Sequence, residues 1–120
     1  MDFNSLLEQL KTHPAYEKVG MVLCHQGVVR ATSRDGRAVR GLRVAVDERR
    51  LEQIIEEKKA LPGVVEILVQ INADRELKVG DDVMGLVVAG DIRENVIAAL
   101  SETLNAIKSK ATKKTEHFSE

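Results

Sequence analysis

The 120-residue sequence contains no tryptophan and only one tyrosine, two phenylalanines and one cysteine. The scarcity of aromatic side chains argues against binding of single-stranded nucleic acid, which depends on aromatic stacking platforms. Because Cys24 is alone, no intrachain disulfide can form, and a reducing compartment is expected. The apolar runs are too short to cross a bilayer, and the first residues lack the apolar core of a signal peptide. We therefore expect a cytoplasmic protein with no membrane segment.

The charge is nearly balanced, with 18 Lys and Arg against 19 Asp and Glu and a net charge of −1. No global field therefore draws the protein onto nucleic acid or a membrane. The segment from Arg30 to Arg43, however, contains five arginines and only one acidic residue, Asp35. Most of them are interpreted as solvent-facing strand residues that also blunt a sheet edge: Arg34, Arg37, Arg40 and Arg43. Arg30 directly follows the apolar "GVV", so it is predicted to lie near the core and to need an anionic partner.

Hydrophobic patterning predicts one α+β domain spanning residues 1–120, because strand-like and helix-like segments alternate along the chain. The predicted strands lie near 19–31, with a bend at Gly27, and near 39–46, 64–71 and 83–90. The predicted helices lie near 5–12, 47–60 and 91–108. Ser5, Asp47 and Asp91 are predicted to cap them. Residues 1–18 would form the first helix and its lead-in, and residues 109–120 a loosely held basic tail.

The segment 91–114, "DIRENVIAALSETLNAIKSKATKK", combines an apolar stripe with cations at both ends. Ile97, Leu100 and Leu104 are predicted to pack on a sheet. Arg93 lies in the first turn, where unpaired backbone N–H groups already favour an anion. Several lysines follow the helix: Lys108, Lys110, Lys113 and Lys114. They could form a solvated helix end, or a crowded cationic site in which a neutral amine acts as base or nucleophile.

The sequence carries no signature of a metal site or a bound cofactor, and we expect neither. Its histidines, His13, His25 and His117, lack metal-ligand spacing, and no glycine-rich phosphate loop occurs. Cys24 and His25 are adjacent in a predicted strand, so they would point to opposite faces, and this geometry is poor for a Cys–His nucleophile pair. Cys24 is predicted to be a small buried hydrophobic residue.

Three segments together resemble the large, catalytic subunit of molybdopterin synthase, the MoaE-like proteins. They are "HQGVVR" (25–30), "RELKVGDDVMGLVVAGDIR" (75–93) and "IKSKATKKTE" (107–116). That family has F-x-G-x-V-R, then G-E-L-x-x-G-D leading into a strand that ends in H-R, then a helix finishing in L-K-x-[KR]-x-P-x-W-K-[KR]-E. The resemblance covers roughly residues 19–116. His25 stands in place of the family's Phe, Ile92 in place of its His, and Thr115 at its second functional Lys.

The resemblance implies an α/β hammerhead-type fold, with a mixed or antiparallel sheet and flanking helices, in a homodimer. A small ubiquitin-like sulfur-carrier subunit would complete a heterotetramer by inserting its C-terminal Gly-Gly tail, as a thiocarboxylate, into each active site. Sulfur would pass from that tail to cyclic pyranopterin monophosphate to make molybdopterin. On this resemblance Arg30 and Arg93 match anion-binding arginines, and Lys108 matches the first functional lysine. Lys113 or Lys114 would replace the second if the chain takes a shorter path.

Two interpretations of function remain open at the sequence level. The first is a sulfurtransferase of molybdenum cofactor biosynthesis. The second is a non-catalytic paralogue that binds an acidic peptide tail or a phosphorylated metabolite in the same basic pocket. A helix over 91–108 would be about 26 Å long, so Arg93 and Lys108 of one chain would lie at its opposite ends. The enzyme interpretation therefore predicts a composite site, built from Arg93 of one protomer and Lys108 of the other.

Overall fold

Two antiparallel three-stranded sheets organise the protein in this computed structural model, which describes residues 2–119. The helices are α1 (Phe3–Lys11), α2 (Glu48–Lys59) and α3 (Arg93–Ala106), with a short 3₁₀ turn at Tyr16–Lys18 and a π-helical segment at Ile107–Ala111. The strands are β1 (Met21–Val28), β2 (Val39–Val46), β3 (Val64–Ile71), β4 (Leu77–Lys78), β5 (Asp82–Gly90) and β6 (Thr112–Phe118). The α+β prediction is confirmed.

The first sheet has the order β1-β5-β3 and is covered on both faces. A central strand of this kind needs a continuous apolar sequence, and "VMGLVVAG" supplies it. Leu86 and Val88 of β5 pack in one cluster with residues of α2 and α3. Val87 and Ala89, on the opposite face, pack against α1. The predicted strands 39–46 and 64–71 match the structure, and 83–90 differs by one residue.

The second sheet has the order β4-β2-β6, and its third strand corrects the sequence prediction of a loose tail. Residues Thr112–Phe118 form β6, which pairs antiparallel with β2 along its whole length, from Thr112 opposite Val46 to Phe118 opposite Val39. The Arg37 guanidinium lies 3.6 Å from the centre of the Phe118 ring, a cation–π contact that holds the end of the strand. The prediction of a loosely held tail is wrong because backbone pairing with β2, not side-chain hydrophobicity, orders this segment.

The helix caps follow the prediction at only one of three places. The Asp47 carboxylate accepts from the Arg50 N–H at 3.1 Å and caps α2 as expected. Helix α1 is capped by Asp2, whose carboxylate accepts from the Ser5 N–H at 3.1 Å, so Ser5 is inside the helix. Helix α3 begins at Arg93 with Ile92 in the cap position and no side-chain cap.

Asp91 has a different role from the predicted cap. Its carboxylate accepts from the Asn95 side-chain amide at 2.9 Å and from the Ile92 N–H at 2.6 Å, and these bonds, the first most strongly, lower its pKa. Its backbone N–H donates to the Gly63 carbonyl at 2.9 Å. Gly63 has φ +76°, and a β-carbon there would collide with the Asp91 and Asn95 side chains. Because residue 63 is glycine, the backbone just before β3 can approach the start of α3.

The face that α3 buries is rotated from the predicted stripe. Val96, Ala99 and Thr103 are its buried residues, whereas Ile97 is 52% exposed. Leu100 and Leu104 are half-buried against the core. The prediction for Ile97 is therefore wrong in the single chain.

The first predicted strand is shorter than expected, since β1 ends at Val28 just after a register shift at Gly27, where the bend was predicted. Cys24 is exposed rather than buried. Val22, on the same face, packs against α1, but Cys24 lies one pleat farther along the strand, outside that cluster. Partial burial nevertheless raises the pKa of its thiol. Within residues 2–119, no helix has both the length and the apolarity needed to cross a membrane.

Candidate functional site

A pocket of about 320 Å³ lies where the two sheets meet the π-helical segment. Its apolar wall comes from strands of both sheets: Leu42, Val44, Ile71, Val83 and Met84. Three cationic side chains line it as well, Lys108, Lys114 and Arg34, and no carboxylate is among its lining residues. A cavity that combines apolar walls with several positive charges suits a ligand with an anionic end.

The π-helical segment brings Lys108 to this pocket. Ile107 and Ala111, at its two ends, are buried and anchor it to the core. The Thr112 hydroxyl donates to the Ile107 carbonyl at 3.3 Å and helps to close the wide turn. Single π-helical turns of this kind are frequent at functional sites. Lys108 itself is exposed on the pocket side, between the two anchors.

Strand β6 selects Lys114 and not Lys113 for the pocket. Lys114 pairs with Val44 of β2, and both residues line the cavity. Lys113 pairs with Ala45, and both are exposed away from it, because successive strand side chains point to opposite faces. Of the two lysines that sequence reasoning left open, the structure brings only Lys114 to Lys108.

Arg34 reaches the pocket from the turn between β1 and β2, which is formed by the segment "SRDGR". The Ser33 hydroxyl donates to the Asp35 carboxylate, which also accepts from the Arg37 N–H at 3.2 Å. The bond from Ser33 is the main cause that lowers the pKa of Asp35. Gly36 completes the turn with φ +87°. Sequence reasoning assigned Arg34 to a solvent-facing strand, and only the turn chemistry could have indicated otherwise.

His25 is a further polar side chain of the pocket, and sequence reasoning did not assign it to this site. The residue is half-buried on β1, and its Nε2 is enclosed without a hydrogen-bond partner among the described residues. Burial, and then the charge of Lys108, lower the pKa of this imidazole below 6.5. Both effects favour the neutral form of His25.

Arg30 and Arg93 lie outside this pocket. Arg30 is exposed, contrary to the prediction that it lies near the core, and its Nε donates to the Thr32 carbonyl at 2.9 Å. Arg93 borders a shallow depression with Gly20 and Ile92, and its Nε lies 3.2 Å from the Glu94 carboxylate. The 14 residues of α3 span about 20 Å, so Arg93 is remote from the pocket of its own chain.

Comparison with known proteins gives a consistent family match. The family model described as "MoaE protein" matches residues 1–110. Among solved structures, molybdopterin cofactor biosynthesis protein E from Burkholderia multivorans is 24% identical with a TM-score of 0.76, covering 99% of this chain and 84% of that one. Molybdopterin synthase from Staphylococcus aureus is 22% identical with a TM-score of 0.73, covering 87% of this chain and 78% of that one.

A third similar structure is a protein–protein complex of subunits 1 and 2 of molybdopterin-converting factor from Helicobacter pylori. It is 20% identical with a TM-score of 0.69 and covers 97% of this chain and 78% of that one. At these identities, the solved structures establish a shared fold. Among curated protein sequences, none matches this chain significantly.

Proposed function

This chain belongs to the MoaE protein family, and we propose that it acts in molybdenum cofactor biosynthesis as the large subunit of a molybdopterin synthase. The observation that carries the proposal is the convergence of Lys108 and Lys114 on one partly apolar pocket. The family resemblance of the sequence implies functional lysines in this part of the chain. A pocket lined by two lysines is suited to sulfur transfer from a thiocarboxylate, because the two cations can stabilise its negative charge.

The pocket receives the C-terminal tail of a small sulfur-carrier subunit. A thiocarboxylate is anionic, so it is stabilised by Lys108, Lys114 and Arg34, while the apolar wall contacts the preceding residues of the tail. One similar structure, from Helicobacter pylori, is a complex of two subunits of molybdopterin-converting factor, which supports a partner of this type.

In the proposed reaction, the sulfur of the tail forms a bond to a carbon of cyclic pyranopterin monophosphate, the bond from that carbon to an oxygen breaks, and the oxygen takes up protons and leaves as water. Water then attacks the tail carbonyl, the bond between that carbonyl and sulfur breaks, and the tail leaves as a carboxylate with release of a proton. Negative charge develops on the carbonyl oxygen in this second step. Lys108 and Lys114 are placed to stabilise it, because fixed cations in a partly apolar cavity act strongly on developing charge. The transfer occurs twice for each dithiolene.

The phosphate of the substrate is held by arginine from a second copy of the chain. Arg93 is remote from Lys108 in its own chain, so the two can share one ligand only across a homodimer interface. Two observations support such an interface. Ile92 and Ile97, beside Arg93 on the surface, are 53% and 52% exposed. Strand β1 also forms an outer edge of its sheet, and an open edge favours a covering partner.

Reconstitution with a thiocarboxylated small subunit tests the proposal. We expect Lys108→Ala to reduce molybdopterin formation at least about a hundredfold, in line with the loss of one group that stabilises developing charge. Lys113→Ala is the matched control, because it removes a nearby lysine that faces away from the pocket. If Lys108→Ala retains full turnover, the catalytic assignment is wrong. If the wild-type protein binds the tail but forms no molybdopterin, the result would instead support the interpretation as a non-catalytic paralogue.

A further inference from the structure

His25 is the pocket residue whose charge can change close to neutral pH. It lies on β1 opposite Leu86 of β5, and Gly27 follows it on the same face of the strand. A β-carbon on Gly27 would lie 3.7 Å from the His25 Nε2, so the ring packs over this glycine. The enclosed Nε2 has no hydrogen-bond partner within residues 2–119. Leaving a buried polar nitrogen unpaired costs free energy, which a ligand contact would recover.

The charged groups that line the pocket together with His25 are all positive, and Lys108 is the one whose charge acts on His25. Lys108 comes from the π-helical segment, Lys114 from β6 and Arg34 from the turn after β1. The neighbouring positions of β5 are Leu86 and Met84, both apolar and buried. Helix α3 turns a face without charged residues towards this sheet: Val96, Ala99 and Thr103. No protein carboxylate in the pocket is therefore available to balance an imidazolium.

These surroundings favour the neutral form of His25 in the free protein. Burial lowers its pKa most, and the positive charge of Lys108 lowers it further. An anion bound between the lysines offsets the repulsion from Lys108. It also offers the imidazolium N–H an acceptor of opposite charge, and charge-assisted hydrogen bonds of this kind are the strong ones.

We infer that the anionic group filling this pocket hydrogen-bonds to His25, and that His25 takes up a proton from solvent as the anion binds. The identity of the anion as the carboxylate-type end of a Gly-Gly tail rests on the proposed function. A phosphate group is also anionic and also carries oxygen atoms that accept hydrogen bonds. Affinity for the carboxylate-type end of the tail, which stays ionised in this range, should increase as the pH falls from 8 towards 6, until His25 of the free protein is itself protonated.

Histidine NMR signals give the direct test. The His25 signal is assigned by its loss in His25→Phe, and its pKa is measured for the free protein, with a saturating synthetic peptide ending in Gly-Gly, and with saturating inorganic phosphate. We expect either anion to raise the pKa of His25 by at least about one unit, a tenfold change in proton affinity. His13 and His117 lie outside the pocket lining, so their signals serve as internal controls.

Calorimetry in two buffers of different ionisation enthalpy provides an independent readout. Wild-type protein should take up a fraction of a proton for each peptide bound at pH 7, up to about half a proton for a pKa shift of one unit. His25→Gln keeps a hydrogen-bonding side chain but cannot carry the proton, so it should bind the anion without proton uptake. If His25 had a purely structural role, proton uptake on binding would be the same in wild type and in His25→Gln. Thermal melting establishes that His25→Phe and His25→Gln are folded.

The outcomes separate this inference from the proposed function. If an anion shifts the Lys108 and Lys114 signals while the pKa of His25 stays constant, the inference is overturned and the proposed function stands. If phosphate shifts all three residues but the peptide shifts none, the inference holds and tail binding is wrong. If neither anion binds, both are wrong.

Discussion

Lys108 and Lys114 line the same pocket although they lie on different elements. The π-helical segment that carries Lys108 ends at Ala111, and β6 begins at the next residue. The wide turn and the alternation of the strand together set the direction of both ammonium groups. A register change of one residue in β6 would place Lys113 in the pocket instead of Lys114. The position of these charges therefore depends on backbone geometry more than on the number of lysines in the sequence.

Removing one of the paired cations should weaken anion binding selectively. We expect Lys114→Ala to reduce affinity for inorganic pyrophosphate about tenfold, which corresponds to about 1.4 kcal/mol. Lys113→Ala should change it less than about twofold, because its side chain faces away and is screened by water and salt. Isothermal titration calorimetry at fixed ionic strength measures both. Equal losses in the two variants would contradict the assignment of Lys114 to the pocket.

The core beneath the π-helical segment should be sensitive to truncation. Ile107 is fully buried, so Ile107→Ala is expected to lower the free energy of unfolding by about 2–5 kcal/mol, through lost burial and the cavity left behind. Urea denaturation followed by circular dichroism gives the value. Val79 is 45% exposed, and Val79→Ala should change stability by less than about 0.5 kcal/mol. A small effect at Ile107 would mean that the segment can repack.

The strands of the two sheets could be predicted from sequence where their hydrophobicity was decisive. The run "VMGLVVAG" is apolar at nearly every position, and it forms the central strand β5, which is covered on both faces. The segment "VVEILVQI" is bounded by Gly63 and Asn72 and forms β3. In both cases local composition and the final environment agree, so no long-range information was needed.

The candidate site could be predicted only in part, because the missing information is non-local. The strand "TKKTEHF" is polar and is ordered by its pairing with β2, which leaves no hydrophobic alternation to detect. Arg34 reaches the pocket through turn geometry, and His25 through its position on the inner face of β1. The buried face of α3 differs from the predicted apolar stripe at Ile97, which is apolar yet exposed in the single chain. Such exposure is expected if a partner chain covers Ile97.

A contact between β6 and the loop after β3 should make stability depend on pH. The Glu76 carboxylate lies 2.6 Å from the His117 Nε2 and 3.4 Å from the Arg43 guanidinium. The bond to His117 is the main cause that lowers the pKa of Glu76 below 4.5. A carboxyl group with a depressed pKa stabilises the fold above its unfolded pKa, and this contribution is lost as the pH falls through the folded value.

Glu76→Gln should therefore lower the melting temperature at pH 7, and its difference from wild type should shrink as the pH falls below 4.5. Thermal melts at several pH values give the comparison. Glu102→Gln, on the exposed surface of α3, is the matched control for the loss of one negative charge. If the effect of Glu76→Gln is independent of pH, the contact does not contribute to stability through its charge.

The exposed isoleucines beside Arg93 should be part of the dimer interface. Ile97→Glu places a charge on a surface that is 52% exposed in the single chain, so it should leave the fold intact. In a dimer the same change buries a carboxylate in an apolar contact, and dissociation should increase at least about tenfold. Sedimentation at micromolar concentration measures the equilibrium. A wild-type protein that is monomeric under these conditions would contradict the proposed homodimer.

Mixing two inactive variants tests whether the active site is shared between protomers. We expect Arg93→Ala and Lys108→Ala each to abolish sulfur transfer, since each removes one half of every composite site. In a mixed dimer, the protomer with intact Lys108 meets the intact Arg93 of the partner subunit, so one site is restored and the other lacks both groups. Random exchange makes half of the dimers mixed, so activity should recover to about a quarter of the wild-type value.

Subunit exchange must be verified separately, for example by energy transfer between differently labelled protomers. A mixture of Lys108→Ala and Lys114→Ala is the matched control. Both lysines line the pocket of the same chain, so a mixed dimer still has one defect in each site and should recover nothing. Recovery in this control would mean that the lysines act in different sites. No recovery with Arg93→Ala, despite demonstrated exchange, would show that Arg93 and Lys108 do not act together across the interface, because the mixed dimer holds every group that the composite site requires.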